Sequence, residues 1–354
     1  MKGTDPTKKF NGFVRFLMRI YRTFVKLPPK TDNITNIGLY KEIMDIKPKL
    51  KADNSNKENF LIWQKKGKSK LKELLNLKVS YNVPKYRILK KKKIQEDLYR
   101  YFITYKSLDC VDMYAYLFKH ERKKERKRHS IIVLSSSEEG IVHTAGLKKS
   151  INNKNGLYFA KRGYNVICPE HRGCGYLSSV PWERVFGNAN SIGKSYMGVV
   201  LGDHILALNI LLSLDTTDKE MVGVIGLSLG GLHSVYLGAL DERIKFAVVF
   251  GWLSNKSALL TGHIHVWSVY DLFTYFNPED ICALIAPKPA FYSNGKYEQG
   301  DELSRFGSDK AMEVLEKINK SYALFNKKAI YKEHQGGHEF DNKLAFSFLK
   351  EEEN

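Results

Sequence analysis

The stretch Val222-Gly223-Val224-Ile225-Gly226-Leu227-Ser228-Leu229-Gly230-Gly231 constrains this chain more than any other: a short apolar strand runs straight into G-x-S-x-G, and the residues after it read as a helix to Leu240. A serine held between strand and helix in this way needs a sharp turn. Glycine at Gly226 and Gly230 removes the side chains that would collide there. The turn lifts the Ser228 hydroxyl above the sheet, and the following helix aims its first amides at the same spot, where they favour developing negative charge. Ser228 is therefore the candidate nucleophile.

The surrounding pattern supports a sheet beneath that turn. Strands are expected at Ile131–Leu134, Tyr164–Cys168, Val222–Ile225, Phe246–Phe250, Ala290–Tyr292 and Ala329–Lys332. They alternate with helices at Gly156–Lys161, Val199–Leu214, Gly231–Leu240, Asp309–Asn319 and Asp341–Lys350, which means βαβ units and a parallel sheet. Two alternating runs, Tyr99–Tyr105 and Val111–Phe118, form an antiparallel hairpin on its edge. A helix bearing Trp63, Leu71, Leu74 and Leu75 precedes the hairpin.

A serine nucleophile needs a base, and in such sheets the histidine follows the last strand. His338 follows Gly336 and Gly337, which let the loop bend back toward the serine, and is preferred over His334, which is expected to end the strand. The acid should follow the preceding strand, where Glu298 and Asp301 are both available to hold the imidazole tautomer. The order serine, acid, histidine fits the fold.

Charge bears on the function class. The 354 residues carry a net charge of +19, which suggests a polyanionic partner. Up to Ser130, however, there are 34 basic and 13 acidic residues, against 23 and 25 from Ile131 onward. The excess is N-terminal, so the chemistry of the body does not point to nucleic acid. From Phe10 to Leu27 apolar residues share one helical face while Arg15, Arg19, Arg22 and Lys26 recur on another, an amphipathic basic helix that could touch an anionic membrane surface or dock on the protein itself. The run Lys119–His129 carries no interleaved aromatics and reads as a solvated loop. Four cysteines without C-x-x-C spacing, and no apolar run long enough for a signal peptide or membrane span, point to a reducing, cytoplasmic setting.

The chain resembles the α/β-hydrolase superfamily, in particular its acetyl-xylan-esterase-like and dienelactone-hydrolase-like esterases. Besides the elbow, the likeness rests on Pro169-Glu170-His171-Arg172-Gly173-Cys174-Gly175, on Ala239 to Lys245, on Phe276 to Ile281 with Ala286-Pro287-Lys288-Pro289, and on the Gly-Gly-His-x-Phe ending. The resemblance implies an α/β-hydrolase fold with a mostly parallel sheet flanked by helices. It divides the chain into a basic, largely helical extension over residues 1–97 and a catalytic domain over 98–354, with a cap-like excursion at 252–288.

The family's roles fall on Ser228 as nucleophile, His338 as base and Glu298 in the slot that usually holds aspartate, with Asp301 the alternative. Its oxyanion hole falls on the amide of Leu229 with that of Ser136 or Ser137. Trp252, His263, His265, Trp267 and Tyr270 are expected to line the pocket; His263 and His265 have no third ligand nearby in sequence, so no metal and no cofactor are expected. His171 and Arg172 are expected to turn the chain, with Asp203 a local anchor. The implied reaction is cleavage of a short-acyl ester, a small molecule. An acyltransferase or peptidase with the same triad, and a non-catalytic binding protein using the basic segment, are the alternatives. The oligomeric state is left open.

Overall fold

The structure is a computed structural model that describes residues 37–121, 127–137, 140–261, 269–298 and 307–353. The basic helix expected over Phe10–Leu27, residues 122–126 of the charged run Lys119–His129, and His263, His265, Trp267 and Asp301 lie outside the described residues; the ends of that run are strand, not loop. Contacts divide the chain into two units, Met1–Ile46 and Lys47–Asn354. The first contains the helix Ile37–Asp45.

The second unit is built on nine strands: β1 (Tyr86–Lys93), β2 (Leu98–Lys106), β3 (Asp112–His120), β4 (Arg128–Leu134), β5 (Asn165–Pro169), β6 (Thr217–Leu227), β7 (Phe246–Phe250), β8 (Ala290–Ser293) and β9 (Ile330–Tyr331). They form one sheet in the order β1-β2-β3-β5-β4-β6-β7-β8-β9. The pairs β1·β2, β2·β3 and β3·β5 are antiparallel and all others parallel. The expected hairpin and the expected parallel strands are thus present, with the last strand shortened to two residues.

Alternate residues of the strands go to opposite faces, the period-2 signature of a pleated strand. Ile132, Leu134, Val224, Val249 and Tyr292 pack under the helices Lys57–Leu74, Tyr196–Leu212, Leu229–Leu240 and Ser308–Ala323. Ile131, Val133, Leu227, Phe250 and Phe291 pack on the other side with Phe159, Phe340 and Phe348. Each such fully buried aliphatic or aromatic side chain contributes about 1.5–3 kcal/mol relative to an exposed one. Tyr196–Leu212 and Leu229–Leu240 are buried along nearly their whole length, which explains why they are apolar all round.

The strand β1 has no counterpart in the sequence reading. Seven of its eight residues are exposed, and Lys90 to Lys93 give it no alternation. Such a lysine row suits the outermost strand, because it discourages pairing with another sheet edge. Lys91 lies over the Tyr99 ring at 4.3 Å and pairs with Glu121 at 2.8 Å.

The expected division at residue 97 differs from the observed one. Lys49 and Leu50 N–H groups donate to the carbonyls of Thr274 and Tyr275, both at 3.0 Å, and Ala52 N–H donates to Asp280 Oδ1 at 2.8 Å. Phe60, Trp63 and Leu71 are in the main core, and Gln64 Nε2 donates to Leu284 O and Ala286 O. Residues 47–97 are therefore part of the body: their apolar stripe has no other face to cover. The expected cap also ends earlier than residue 288, since the helix Pro278–Ala283 and the residues Leu284 to Ala286 are core.

Candidate active site

The chain passes from β4 to β5 on one side and returns to β6 on the other, so the loops after β4 and β6 share the crevice at a switch in strand order, where open α/β sheets bind ligands. Ser228 ends β6 with φ 58° and ψ −116°, a positive φ that a non-glycine residue adopts only under constraint. Its N–H donates to Phe250 O at 2.8 Å. A Cβ at Gly226 would run into the carbonyl of Gly230, and one at Gly230 into the carbonyl of Leu134 and, at 2.7 Å, that of Ser135. From Val222 to Asp241 Ser228 is the only residue that is not buried. The turn thus presents one hydroxyl and hides everything around it.

Two later loops meet beside this turn. Tyr297 N–H donates to Gly336 O at 3.0 Å and Lys296 N–H to His334 O at 2.9 Å, which locks the loop after β8 onto the loop after β9. That lock brings Glu298 Oε1 against His338 Nδ1. The second carboxylate oxygen, Oε2, accepts from Gly295 N–H at 3.1 Å, fixing the side chain's direction. Glu298 is 6% exposed at its side chain and His338 32%, so the acid is enclosed and the imidazole has an open edge.

The imidazole lies against Gly251, the residue after the one whose carbonyl receives the Ser228 N–H: a Cβ there would stand 2.8 Å from His338 Cε1 and 3.0 Å from Nδ1. Gly251, at φ +59°, keeps that seat open.

His334 is occupied elsewhere. Its Nδ1 pairs with Ser293 Oγ at 3.0 Å and its Nε2 accompanies Gly337 O at 3.1 Å, so it shapes the loop that carries His338.

On the oxyanion side, Leu229 opens its helix, where the first-turn amides have no intrahelical partner. Ser136 departs from expectation. Its N–H donates to Asn152 Oδ1 at 3.2 Å while its Oγ accepts from Asn152 Nδ2 at 2.9 Å, so its amide points into the protein. Ser137, its half-buried neighbour, is the other serine expected there. Glu170, buried and pushed up to about 7 by burial, accepts from Ile141 N–H at 3.4 Å and Tyr176 N–H at 3.1 Å, tying the loop after β4 to the turn after β5.

Of the expected pocket residues, Trp252 is buried beside the elbow helix, whereas Tyr270 is 88% exposed with its ring in solvent. The Arg172 and Asp203 expectation fits: Arg172 forks to Asp203 at 2.7 and 3.0 Å and to Asp109 at 2.6 Å twice. The guanidinium holds the Asp109 carboxyl well below its usual range. Gly251 and Asn152 were missed. Asn152 carries no sequence signal, but the Phe-Gly step at the end of β7 marks a close approach.

A strained serine between strand and helix, at the switch point of such a sheet, with an imidazole–carboxylate pair on the last two loops, defines an α/β-hydrolase. Within that class the chain belongs to the acetyl xylan esterase (AXE1) family, whose model matches residues 51–280. The match includes Ser228 but stops short of Glu298 and His338. A 132-residue stretch is 31% identical to YtaP of Bacillus subtilis (strain 168), a protein named provisionally as a hydrolase; it spans 36% of this chain and 44% of that one.

Among solved structures, one from Bacteroides fragilis NCTC 9343, named provisionally as an acetyl xylan esterase, superposes with a TM-score of 0.70 at 17% identity over 84% of this chain and 80% of the other. A CE15 glucuronoyl esterase from Teredinibacter turnerae T7901 gives 0.62 at 12% over 88% and 90%. At these identities the superpositions speak for the fold.

Proposed function

We propose that the protein is a serine ester hydrolase that removes short acyl groups, acetyl foremost, through an acyl-enzyme on Ser228. The observation that carries the reading is the contact between Glu298 and His338 Nδ1, with the imidazole seated on Gly251 next to the elbow. With its Nδ1–H given to the carboxylate, the ring has Nε2 as its basic nitrogen. Nε2 takes the proton from Ser228 Oγ as that oxygen attacks the ester carbonyl. The oxygen that gains charge faces the Leu229 N–H and the Ser137 N–H. Collapse breaks the bond to the alcohol oxygen, which leaves with the proton returned from Nε2. Water, deprotonated by the same nitrogen, then releases the carboxylic acid and restores Ser228.

Acetylated sugars are the substrate class that the family and the names of its relatives favour. The reading places the enzyme in a reducing, cytoplasmic setting on its cysteine pattern and leaves the basic segment over residues 10–27 as a contact for an anionic membrane.

Release of p-nitrophenol from its acetate ester tests the proposal. The wild-type chain should release it and Ser228→Ala should not; equal rates would overturn the assignment. A competing alcohol acceptor in the same assay should leave free acetate as the main product.

A further inference from the structure

In the core three histidines converge, one of them on the helix that follows Ser228, and no carboxylate belongs to the group. His171 sits on the turn after β5, His204 in the middle of the helix Tyr196–Leu212, and His233 in Leu229–Leu240, five residues beyond Ser228. All three are fully buried, and one nitrogen from each lies within 4.8 Å of the others. Among the described residues this is the one such group of potential metal ligands.

Their hydrogen bonding does not account for them. His204 Nε2 and His233 Nδ1 lie 3.2 Å apart, and the other four nitrogens, both of His171, Nδ1 of His204 and Nε2 of His233, have no hydrogen-bond partner. Buried polar atoms in native proteins are almost always satisfied, and an exception commonly marks an ion or a water.

The geometry suits one cation class. In a tetrahedral site with Zn–N bonds of about 2.0–2.1 Å, ligand nitrogens stand roughly 3.3 Å from each other. The 3.2 Å separation of His204 Nε2 and His233 Nδ1 is already that edge, and since the group's nitrogens all lie within 4.8 Å of one another, bringing His171 in takes at most about 1.5 Å. The site is also braced. Arg172, next to His171, is forked onto Asp203, next to His204, and Tyr196 Oη donates to Arg172 O at 2.5 Å. Imidazole nitrogens without hard carboxylate oxygens select Zn2+ or a neighbouring transition ion over Mg2+ or Ca2+.

We propose that His171, His204 and His233 bind a divalent transition ion, Zn2+ foremost, as a structural site that fastens the β5 turn and two core helices, one of them following the nucleophile elbow. Three protein ligands leave one tetrahedral position for a water. Ester cleavage does not pass through this ion, so the site and the esterase reading stand or fall separately.

Tag-free full-length protein, equilibrated with Zn2+ and desalted, should retain about one ion per chain, and its X-ray absorption should show three imidazole nitrogens at about 2.0–2.1 Å. Chelation should lower the melting temperature, and Zn2+ should restore it in proportion to its concentration. His204→Gln and His233→Gln should lose the ion and the Zn2+-dependent shift, while the exposed-site control His143→Gln keeps both. Should the variants fail to fold, the absorption spectrum of the wild type still decides. Fewer than three imidazoles on the ion, retention by His204→Gln, or wild-type protein that keeps no ion after desalting would overturn the site. Ser228→Ala should bind the ion as the wild type does, which separates this test from the esterase assay.

Discussion

His338 and the buried histidine trio carry the same side chain in opposite surroundings. His338 keeps an open edge, has a carboxylate on Nδ1, and rests on a glycine beside a strained serine. His171, His204 and His233 are sealed in the core, with no carboxylate hydrogen-bonded to their rings and four ring nitrogens unmatched. The first arrangement suits proton transfer, because a carboxylate on Nδ1 stabilises an imidazolium whose other edge is open. The second has no means of stabilising a cationic ring and offers lone pairs instead. Burial and partner, not residue type, decide which chemistry a histidine performs.

The largest expected effect breaks the proton-moving side of this contrast. Ser228→Ala and His338→Ala should each lower kcat for p-nitrophenyl acetate by about 10^4–10^6-fold, as removal of a triad member does. Glu298→Gln should cost about 10^3–10^4-fold by favouring the wrong tautomer, and Glu298→Asp should retain more activity than Glu298→Gln. If Glu298→Gln keeps wild-type kcat, the acid lies elsewhere, and Asp301 is the residue to change next.

Gly251→Ala probes the seat of the ring. A methyl group there pushes on His338, so kcat should fall by about 10^2-fold while KM changes little. His334→Ala should act on the fold more than on the chemistry. It leaves Ser293 Oγ without its partner, so chemical denaturation should show a loss of about 1–3 kcal/mol while kcat falls far less than for His338→Ala. An equal loss in kcat would make the two histidines one functional unit.

The smallest effect concerns the Arg172 fork. Arg172 lowers the Asp109 pKa below its unfolded value, so this pair's stabilisation is fully present above about pH 3.9 and is lost as pH falls through the folded value. Denaturation of the wild type between pH 5 and 2 should therefore show a steeper acid loss than Asp109→Asn, with the two curves parallel above about pH 5. Parallel curves throughout would remove Asp109 from the account.

The sheet was legible where strands are buried on both faces, because runs such as Phe246–Phe250 and Val222–Leu227 leave no choice but the interior. The strand Tyr86–Lys93 was not legible: an edge strand defended by lysines has the composition of a loop, and its pairing with β2 shows only in three dimensions. The elbow and the histidine after the glycines were written in local spacing. Glu298 was one of two carboxylates in the sequence; the lock between the two late loops brings it against His338, while Asp301 lies outside the described residues.

Ser136 was a reasonable oxyanion donor by position, but Asn152, sixteen residues later, takes its amide, and nothing local foretells that pairing. The histidine trio could not be read either. His171, His204 and His233 are far apart in sequence, two of them on helices whose residues are nearly all buried, so no face singled them out.

The central claim is that Ser228 is a nucleophile activated by His338 and Glu298. Intact and peptide mass spectrometry after brief exposure to a fluorophosphonate measures this directly. The account predicts one adduct per chain, on the peptide containing Ser228, absent in Ser228→Ala and slowed by about 10^3-fold or more in His338→Ala and Glu298→Gln. No adduct on the wild-type chain, or one on another residue, would contradict it.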